Sequence, residues 1–261
     1  MKLPIALAIA ALLATLSGCG QNKTNDSSGK ATQDHLITKP VENIVATPAQ
    51  RERRNRSEAF CRARNIPVYH NPNSLFVETD EKTTIRSQNE VVDRALALCY
   101  VALKGEGLEQ DMLDKMDKDY HISAKLSPEE KSYATASSPT DQQKTDAVWR
   151  YESLDVLLWA LGYTDSLIYP DKSCDVATDV GIIHDLNEKD FRQKARLRSK
   201  KEILDQADLI LRLHWACVEA RLKNATAPAG LEEELVFERH RILNWLINYM
   251  NQDWDDVVTD T

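Results

Sequence analysis

The chain has 261 residues, a formal net charge of −8 and a sequence pI near 5.3. An acidic chain repels phosphate, so the composition disfavours nucleic acid and anionic lipid faces as bulk partners. Eight Gly and nine Pro are few for this length, which disfavours turn-rich all-β folds, while 42% hydrophobic residues with five Trp suffice for a packed core.

The N-terminus has the pattern of a bacterial lipoprotein signal. Lys2 is followed by an apolar, alanine-rich stretch at 5–16, and two small residues then lead directly to Cys19. This stretch is too short to span a bilayer as a stable helix and is typical of a signal peptide. We expect residues 1–18 to be a lipoprotein signal peptide and Cys19 to be the site of palmitate-type lipid attachment. An ordinary secretory signal and a fortuitous apolar N-terminus are the alternatives.

Residues 19–46 are predicted to be the lipidated N-terminus and a flexible linker. The segment 21–30 has no apolar side chain to bury, so it cannot offset the entropy lost on ordering. About 25 flexible residues have a root-mean-square reach near 30 Å. We expect a chain that is lipid-anchored in the cell membrane or outer membrane, with its domain facing the periplasm. Gly20 stands where an inner-membrane retention signal commonly has Asp, which favours the outer membrane in a Gram-negative host.

From residue 47 to 261 the sequence predicts a single compact all-α domain. A capping residue followed three positions later by Gln or Glu marks a helix start. This pattern occurs at Thr47, Ser87, Ser127 and Ser199, with Asn187 as a further cap and with predicted helix ends at Gly105, Gly162 and Pro228. The predicted helices are 48–64, 88–103, 108–118, 128–137, 141–161, 188–198, 200–224 and 231–250. A short extended or hairpin segment is predicted near 66–78, which contains Pro67 and Pro72.

Charged residues lie among apolar ones in the helices expected to be central. Arg239 falls inside the apolar arc of the last helix, where an unpaired charge would cost several kcal/mol. The carboxylates available to it are Glu152, Asp205 and Asp208. The candidate polar network or pocket consists of Glu152, Asp205, Asp208, Arg212, His214 and Arg239.

This constellation has two interpretations. A satisfied ion network that fixes helix register is favoured over a ligand or acid–base site. His214 is on the apolar side of its helix and is expected to be a hydrogen-bonded core histidine. His240 shares a polar side with Asn244 and Asn248 and is expected on a solvated face. The arginines between 51 and 64 are expected to pair with acidic residues, with a membrane-facing role as the alternative.

Four cysteines remain once Cys19 is set aside. In an oxidising periplasm an even number permits two disulfides, with three connectivities. Free buried thiols are the alternative, especially for the cysteines on apolar helix faces. The favoured pairing is Cys61 with Cys99 and Cys174 with Cys217.

Metal, cofactor and nucleophile motifs are weak or lacking in this sequence. It contains no His-Glu-x-x-His, Cys-x-x-Cys or Glu-x-x-His spacing and no Gly-x-Ser-x-Gly or phosphate loop. We therefore expect neither a metal nor a cofactor, and no residue is assigned as catalytic.

Several motifs in order resemble one bacterial family. Trp-Arg-Tyr-Glu-Ser at 149–153 and Leu-Trp-Ala-Leu-Gly at 158–162 form the first part. Glu-Ile-Leu-Asp-Gln-Ala-Asp-Leu at 202–209 and Arg-Leu-His-Trp-Ala at 212–216 form the second. Glu-Arg-His at 238–240, Asn-Trp-Leu at 244–246 and the segment at 254–261 complete the set. Together they resemble the family called domain of unknown function 4272, over roughly 53–261.

The resemblance implies a compact helical domain and no known activity, so it transfers no catalytic residue. Members are mostly plain intracellular chains, and the predicted lipid signal and linker depart from that pattern. The expected function is a membrane-anchored periplasmic lipoprotein whose helical domain binds a partner, most plausibly a protein. The alternatives are a hydrolase or transferase that uses the Glu/Asp/Arg/His residues as a core site, and an envelope immunity-type protein. Whether those residues line a cavity or lie closed between helices distinguishes a site from a structural network.

Overall fold

The computed structural model describes residues 43–261, so the predicted signal peptide, Cys19 and most of the predicted linker lie outside the described residues. This part of the chain is all-α, as predicted, with irregular connections between the helices and no strand. Its longer helices are α1 (Pro48–Ala63), α2 (Gln88–Glu106), α3 (Gln110–Tyr120), α4 (Pro128–Thr135), α5 (Asp141–Val148), α6 (Arg150–Ala160), α7 (Val176–His184), α8 (Glu188–Lys194), α9 (Lys200–Leu222) and α10 (Glu233–Leu246). Between 43 and 261, no helix combines the length and the apolar character that crossing a bilayer requires.

The helix starts follow from local hydrogen bonding. At Thr47, the side-chain oxygen accepts from the backbone N–H of Gln50, and the Gln50 side chain accepts from the backbone N–H of Thr47. Such a capping box satisfies two helix-terminal donors at once. The same reciprocal pair is present at Ser87, Ser127 and Ser199, and Asn187 caps α8.

Some helix boundaries differ from the predicted ones. Gly105, predicted as a helix end, lies inside α2, which continues to Glu106 and ends at Gly107 with φ of 91°. Glycine is needed at this position for close helix packing and not to end the helix, because an ideal Cβ at Gly105 would be 2.8 Å from Cβ of Ala147 on α5. The helix predicted at 141–161 is broken at Trp149 into α5 and α6.

Helix α7 is not among the predicted helices, although Asp175 caps it by accepting from the backbone N–H of Thr178. Helix α8 ends earlier than predicted because the chain after it pairs with the end of α6. The backbone N–H groups of Arg196 and Arg198 donate to the carbonyls of Leu161 and Ala160 at 2.7 and 2.8 Å.

The core lies among α2, α6, α9 and α10. Helix α9 packs against α1 and α10, α10 packs against α6, and α2 packs against α5 and α6. Helices α6 and α9 bury most of their circumference, as their composition predicts. After α10 the chain folds back over that helix, with Trp254 buried and the carbonyl of Val258 accepting from Nδ2 of Asn244 at 2.9 Å.

The segment predicted as extended or hairpin forms irregular chain that is fixed to α1 by side chains. Nη2 of Arg54 donates to the carbonyl of Asn71 at 2.9 Å, and Nε2 of Gln50 donates to that of Val77 at 2.8 Å. The backbone N–H of Ile44 donates to the carbonyl of Asn73 at 2.7 Å. Packed chain therefore extends to Ile44, a few residues before the predicted domain start at 47.

Candidate functional site

Arg239 on α10 and Glu152 on α6 form an ion pair in the core. Nη2 and Nε of Arg239 lie 2.9 and 3.2 Å from Oε2 of Glu152, and Nη1 donates to the carbonyl of Ile168 at 2.6 Å. Oε1 of Glu152 accepts from the backbone N–H of Cys174 at 2.7 Å. Both charged side chains are 3% exposed. The pair joins two helices to the loop between α6 and α7 and leaves no carboxylate oxygen for a ligand.

Asp208 and Arg212 form a second buried pair, one turn apart on α9. Nη2 of Arg212 lies 2.8 Å from Oδ1 of Asp208, and each side chain is 1% exposed. Helix α9 packs against α1. The two charges act in opposite directions on the pKa of the Cys61 thiol of α1, which Arg212 lowers and Asp208 raises. Splitting a pair in such surroundings leaves an uncompensated buried charge.

Asp205 lies at the edge of the same interface and is 28% exposed. Its carboxylate is 2.7 Å from Nη2 of Arg56, 3.4 Å from Nε of Arg53 and 2.9 Å from Nζ of Lys201. It therefore pairs with α1 and not with Arg239. Arg53 also pairs with Asp80, and two further arginines of α1 pair with an acid of the same helix, in the contacts Arg54–Glu58 and Arg62–Glu58.

His214 on α9 forms a hydrogen bond with His240 on α10. The two Nδ1 atoms lie 2.8 Å apart, and the rings meet edge to face. Burial lowers the pKa of His214 to about 4 and that of His240 to about 3, so both rings are neutral at pH 7. The expectation that His240 lies on a solvated face was wrong. It is 2% exposed, because α9 and the chain after α10 cover that side of the helix.

The residues of the predicted network thus occupy separate places. Glu152 pairs with Arg239 and Asp208 with Arg212, whereas Asp205 joins the arginines of α1 and His214 joins His240. Within the described residues, no hydrogen bond or ion pair connects these groups to one another.

Two further carboxyl groups lie beside the Arg239 pair. Oδ2 of Asp155 is 3.8 Å from Nη2 of Arg239 and has no hydrogen-bond partner in the part of the chain that is described, and neither has Oδ2 of Asp179. Burial, and then the charge of Asp155, raise the pKa of Asp179 to about 8. Burial raises that of Asp155 to about 6, against the opposing charge of Arg239. Arg239 therefore faces the carboxylates of both Glu152 and Asp155 with a single positive charge. Asp179 retains a proton at neutral pH.

All four cysteines in the described residues are buried free thiols. The predicted disulfides Cys61–Cys99 and Cys174–Cys217 are not formed in the structure. Burial raises the pKa of the Cys61 thiol to about 11 and that of Cys217 to about 12. It also raises those of Cys99 and Cys174, so the reactive thiolate is scarce at every position.

An open groove of about 650 Å³ lies between α9, α10 and the corner where α5 meets α6. Its volume is within the range of ordinary ligand sites. His214 is the one member of the predicted network in its wall. Phe237 on α10 is 41% exposed, and its ring and that of His214 form a T-shaped contact with centroids 5.9 Å apart. The lining consists of Gln142, Asp146, Trp149, His214, Val218, Arg221, Glu233, Glu234, Phe237, Glu238, Thr259 and Thr261.

The sequence model of the family described as Domain of unknown function (DUF4272) matches residues 53–257. The chain belongs to this family. The resemblance inferred from the motifs is therefore confirmed. No curated protein and no solved structure matches the chain.

The motifs on which the resemblance was based meet one another in the fold. Nη1 of Arg150 lies 2.6 and 2.8 Å from the two carboxylate oxygens of Glu238, whose neighbours Arg239 and His240 bind Glu152 and His214. Consecutive helix residues point about 100° apart, so this Glu-Arg-His sequence meets three different partners around α10. The motif residues are thus explained mainly by helix packing.

The groove itself was not predicted from the sequence. Trp149 was named as part of a family motif and Phe237 was not singled out, because a helical pattern shows which face is apolar but not where neighbouring helices leave a gap. A usable signal was present in the acidic run at 232–234, which begins α10 beside the exposed Phe237.

Proposed function

We propose that this chain is a lipid-anchored envelope protein whose DUF4272 domain binds a protein partner through the groove between α9 and α10. The binding role is supported by a difference in solvent access between the predicted polar network and the groove. Glu152, Asp208 and Arg212 are closed between helices, whereas the groove is open and keeps an exposed aromatic side chain. Exposed apolar surface bordered by polar groups is typical of interaction sites. Support for the anchor is the signal pattern that ends at Cys19.

An enzyme that uses the predicted network is less well supported. His214 is the only member of that network in the groove wall, and its ring is hydrogen-bonded to a second histidine and not to a carboxylate. Its pKa, lowered to about 4 by burial, makes it a weak base at neutral pH. Asp205, the exposed acid of the set, lies at the α1 interface with three basic partners.

The anchoring role is tested by Cys19→Ser in the full chain. We expect loss of lipid labelling, accumulation of unprocessed precursor and loss of the lipidated membrane form. A matched control is Ser28→Ala in the predicted linker, which should label and process as the unaltered chain does. Mature-size, membrane-bound Cys19→Ser protein would refute lipidation at this position.

The binding role is tested by placing a photo-crosslinking amino acid at Val218, in the groove wall, and at exposed Asp111 on α3 as a control. We expect an adduct of defined mass from position 218 and none from 111. The crosslinked protein, identified by mass spectrometry and purified, should bind the full chain and bind Phe237→Ala more weakly. No adduct from 218, or equal adducts from both positions, would contradict binding through this groove.

A further inference from the structure

We propose that the groove between α9 and α10 holds a basic side chain, lysine or arginine, of the partner polypeptide. This inference rests on the proposed function and specifies the chemistry of its ligand. It rests on the charge of the groove and on two aromatic rings that lack a cation from within the described residues.

The groove carries more negative than positive charge. Four carboxylates line it against one guanidinium, that of Arg221. Arg221 is committed to Glu233 at 2.8 Å, and Glu238 is paired with Arg150 at 2.6 Å. That leaves Asp146 and Glu234, neither of which forms an ion pair within residues 43–261.

Asp146 accepts one hydrogen bond from the Gln142 side chain at 2.7 Å, and this neutral donor leaves its charge uncompensated. Glu234 is exposed on the first turn of α10. A cation entering the groove would meet both charges, whereas an acidic ligand would be repelled.

The aromatic rings supply the second, independent indication. Of the four tryptophans outside the groove, three have one of the protein's own guanidinium groups over the ring, whereas Trp215 contacts the ring of Tyr69 instead. Arg198 lies 5.0 Å from the ring centroid of Trp159, Arg86 lies 5.0 Å from that of Trp245, and Arg241 lies 4.0 Å from that of Trp254.

Trp149 and Phe237 line the groove, and neither has a cation over its ring among the described residues. Cations are attracted to aromatic faces by the ring quadrupole, most strongly where the site is partly dry. These two rings are therefore free to receive a cation from outside the chain. The remaining apolar surface, at Val218 and the exposed part of Phe237, offers contact area for residues that flank a basic side chain.

The histidine in the wall is compatible with a cationic ligand. Nδ1 of His214 is used by His240, and Nε2 has no hydrogen-bond partner in the described part of the chain. Since burial holds its pKa near 4, the ring adds no positive charge to the groove at neutral pH. When Nδ1 of His214 donates to His240, its Nε2 presents a lone pair that can accept from an ammonium or guanidinium group.

The test is calorimetric titration of the full mature chain, in a neutral detergent, with amidated tetralysine and tetraarginine. We expect saturable one-to-one binding that is weakened about tenfold or more by the double variant Asp146→Asn, Glu234→Gln, and also weakened by Phe237→Ala. The matched control is Glu232→Gln, which removes an exposed carboxylate next to the groove but not in its lining. It should bind as the unaltered chain does. Thermal melts of all variants establish that they are folded.

Different experimental results would contradict different parts of the proposal. No binding of either basic peptide, binding of tetraglutamate, or equal losses in Glu232→Gln and the double variant would overturn the proposal. Spermidine binding as tightly as the peptides would assign the groove to a small polyamine and overturn the polypeptide ligand. A crosslink from position 218 that persists undiminished in the double variant would leave groove binding intact and overturn the basic ligand. Absence of that crosslink would refute the proposed function itself.

Discussion

Nη2 of Arg239 lies 2.9 Å from Oε2 of Glu152, with both side chains almost fully removed from solvent. The same glutamate accepts a backbone N–H from the loop after α6, and the same arginine donates to the carbonyl of Ile168 in that loop. One ion pair thus fixes two helices and the connection between them. Its contribution is geometric, because a buried pair of this kind stabilises little in net terms but is costly to break.

We therefore expect Arg239→Ala to lower the free energy of unfolding by about 3–5 kcal/mol, because the Glu152 carboxylate would be left charged and buried. The measurement is urea unfolding of the full chain. Arg221→Ala removes the same side chain from an ion pair in which the arginine is 62% exposed. That control should change stability by less than about 1 kcal/mol.

Two of the three acids considered as partners of Arg239, Glu152 and Asp205, should behave differently. Glu152→Gln should be strongly destabilising, since it leaves the buried Arg239 guanidinium without its carboxylate partner. Asp205→Asn should have a smaller effect, because the Asp205 side chain is 28% exposed. Equal thermal melts for the two variants would contradict this division.

The proton held by Asp179 should make the stability depend on pH between about 4 and 8. Its pKa is about 8 in the folded protein and near 3.8 as a free group, so the folded state holds a proton that the unfolded chain releases. Stability from this group is therefore lost as pH rises from about 4 to 8 and levels off above that. Asp179→Asn, which stays neutral, should be more stable than the unaltered chain at pH 9 by more than about 1 kcal/mol and similar to it at pH 4.

Urea unfolding at several pH values measures this difference. Asp185→Asn on the exposed end of α7 is the control, since that carboxyl is 80% exposed and should leave the pH profile unchanged. A variant Asp179→Asn that is less stable at pH 9 than at pH 4, to the same extent as the unaltered chain, would show that Asp179 does not hold the proton.

The histidine pair should have the opposite effect in acid. The pKa values of His214 and His240 are lowered to about 4 and 3, from 6.5 for the free group, so the unfolded chain binds protons that the folded chain does not. Stability should fall as pH falls from about 6.5 to 3. His240→Asn retains a hydrogen-bonding group near Nδ1 and removes one titrating ring, so the slope over this window should become shallower. His184→Asn, at a partly exposed histidine, should leave the slope as it is.

The cysteines should be free and unreactive in the folded chain. In Cys19→Ser protein, a thiol reagent at pH 8 should find almost no reactive thiol before denaturation and all four of Cys61, Cys99, Cys174 and Cys217 afterwards, without prior reduction. Fewer than four after denaturation would show that disulfides form, as the even number of cysteines indicates for an oxidising compartment.

Sequence patterns predicted most reliably what depends on a few neighbouring residues. The capping boxes at Thr47, Ser87, Ser127 and Ser199 join residues three positions apart, so they can be read without knowledge of the fold. Helix α7 could not be found in this way. It contains β-branched residues and Gly181, which have low helix propensity, and it is held by packing of Val180 and Ile183 into the core.

The polar residues show the same limit. A helical pattern placed Arg239 in an apolar arc and required a carboxylate, and Glu152 supplies it. The pattern also grouped Asp205 with Asp208. It could not show that Asp208 is buried, whereas Asp205 lies at the edge of the interface with α1. His240 was misplaced for a related reason, since its burial depends on contact with His214 of another helix and on the chain that folds back over α10, which the pattern of one helix does not show.

Gly105 affects the groove from the opposite side of α5. It contacts Ala147 and the carbonyl of Lys144 on one side of α5, while Gln142 and Asp146 of the same helix form part of the groove wall. A single methyl group at 105 would approach α5 to less than 3 Å and displace it. The width of the groove therefore depends on the lack of a side chain at position 105. A Gly105→Ala variant would alter ligand affinity without changing any surface that a ligand can reach.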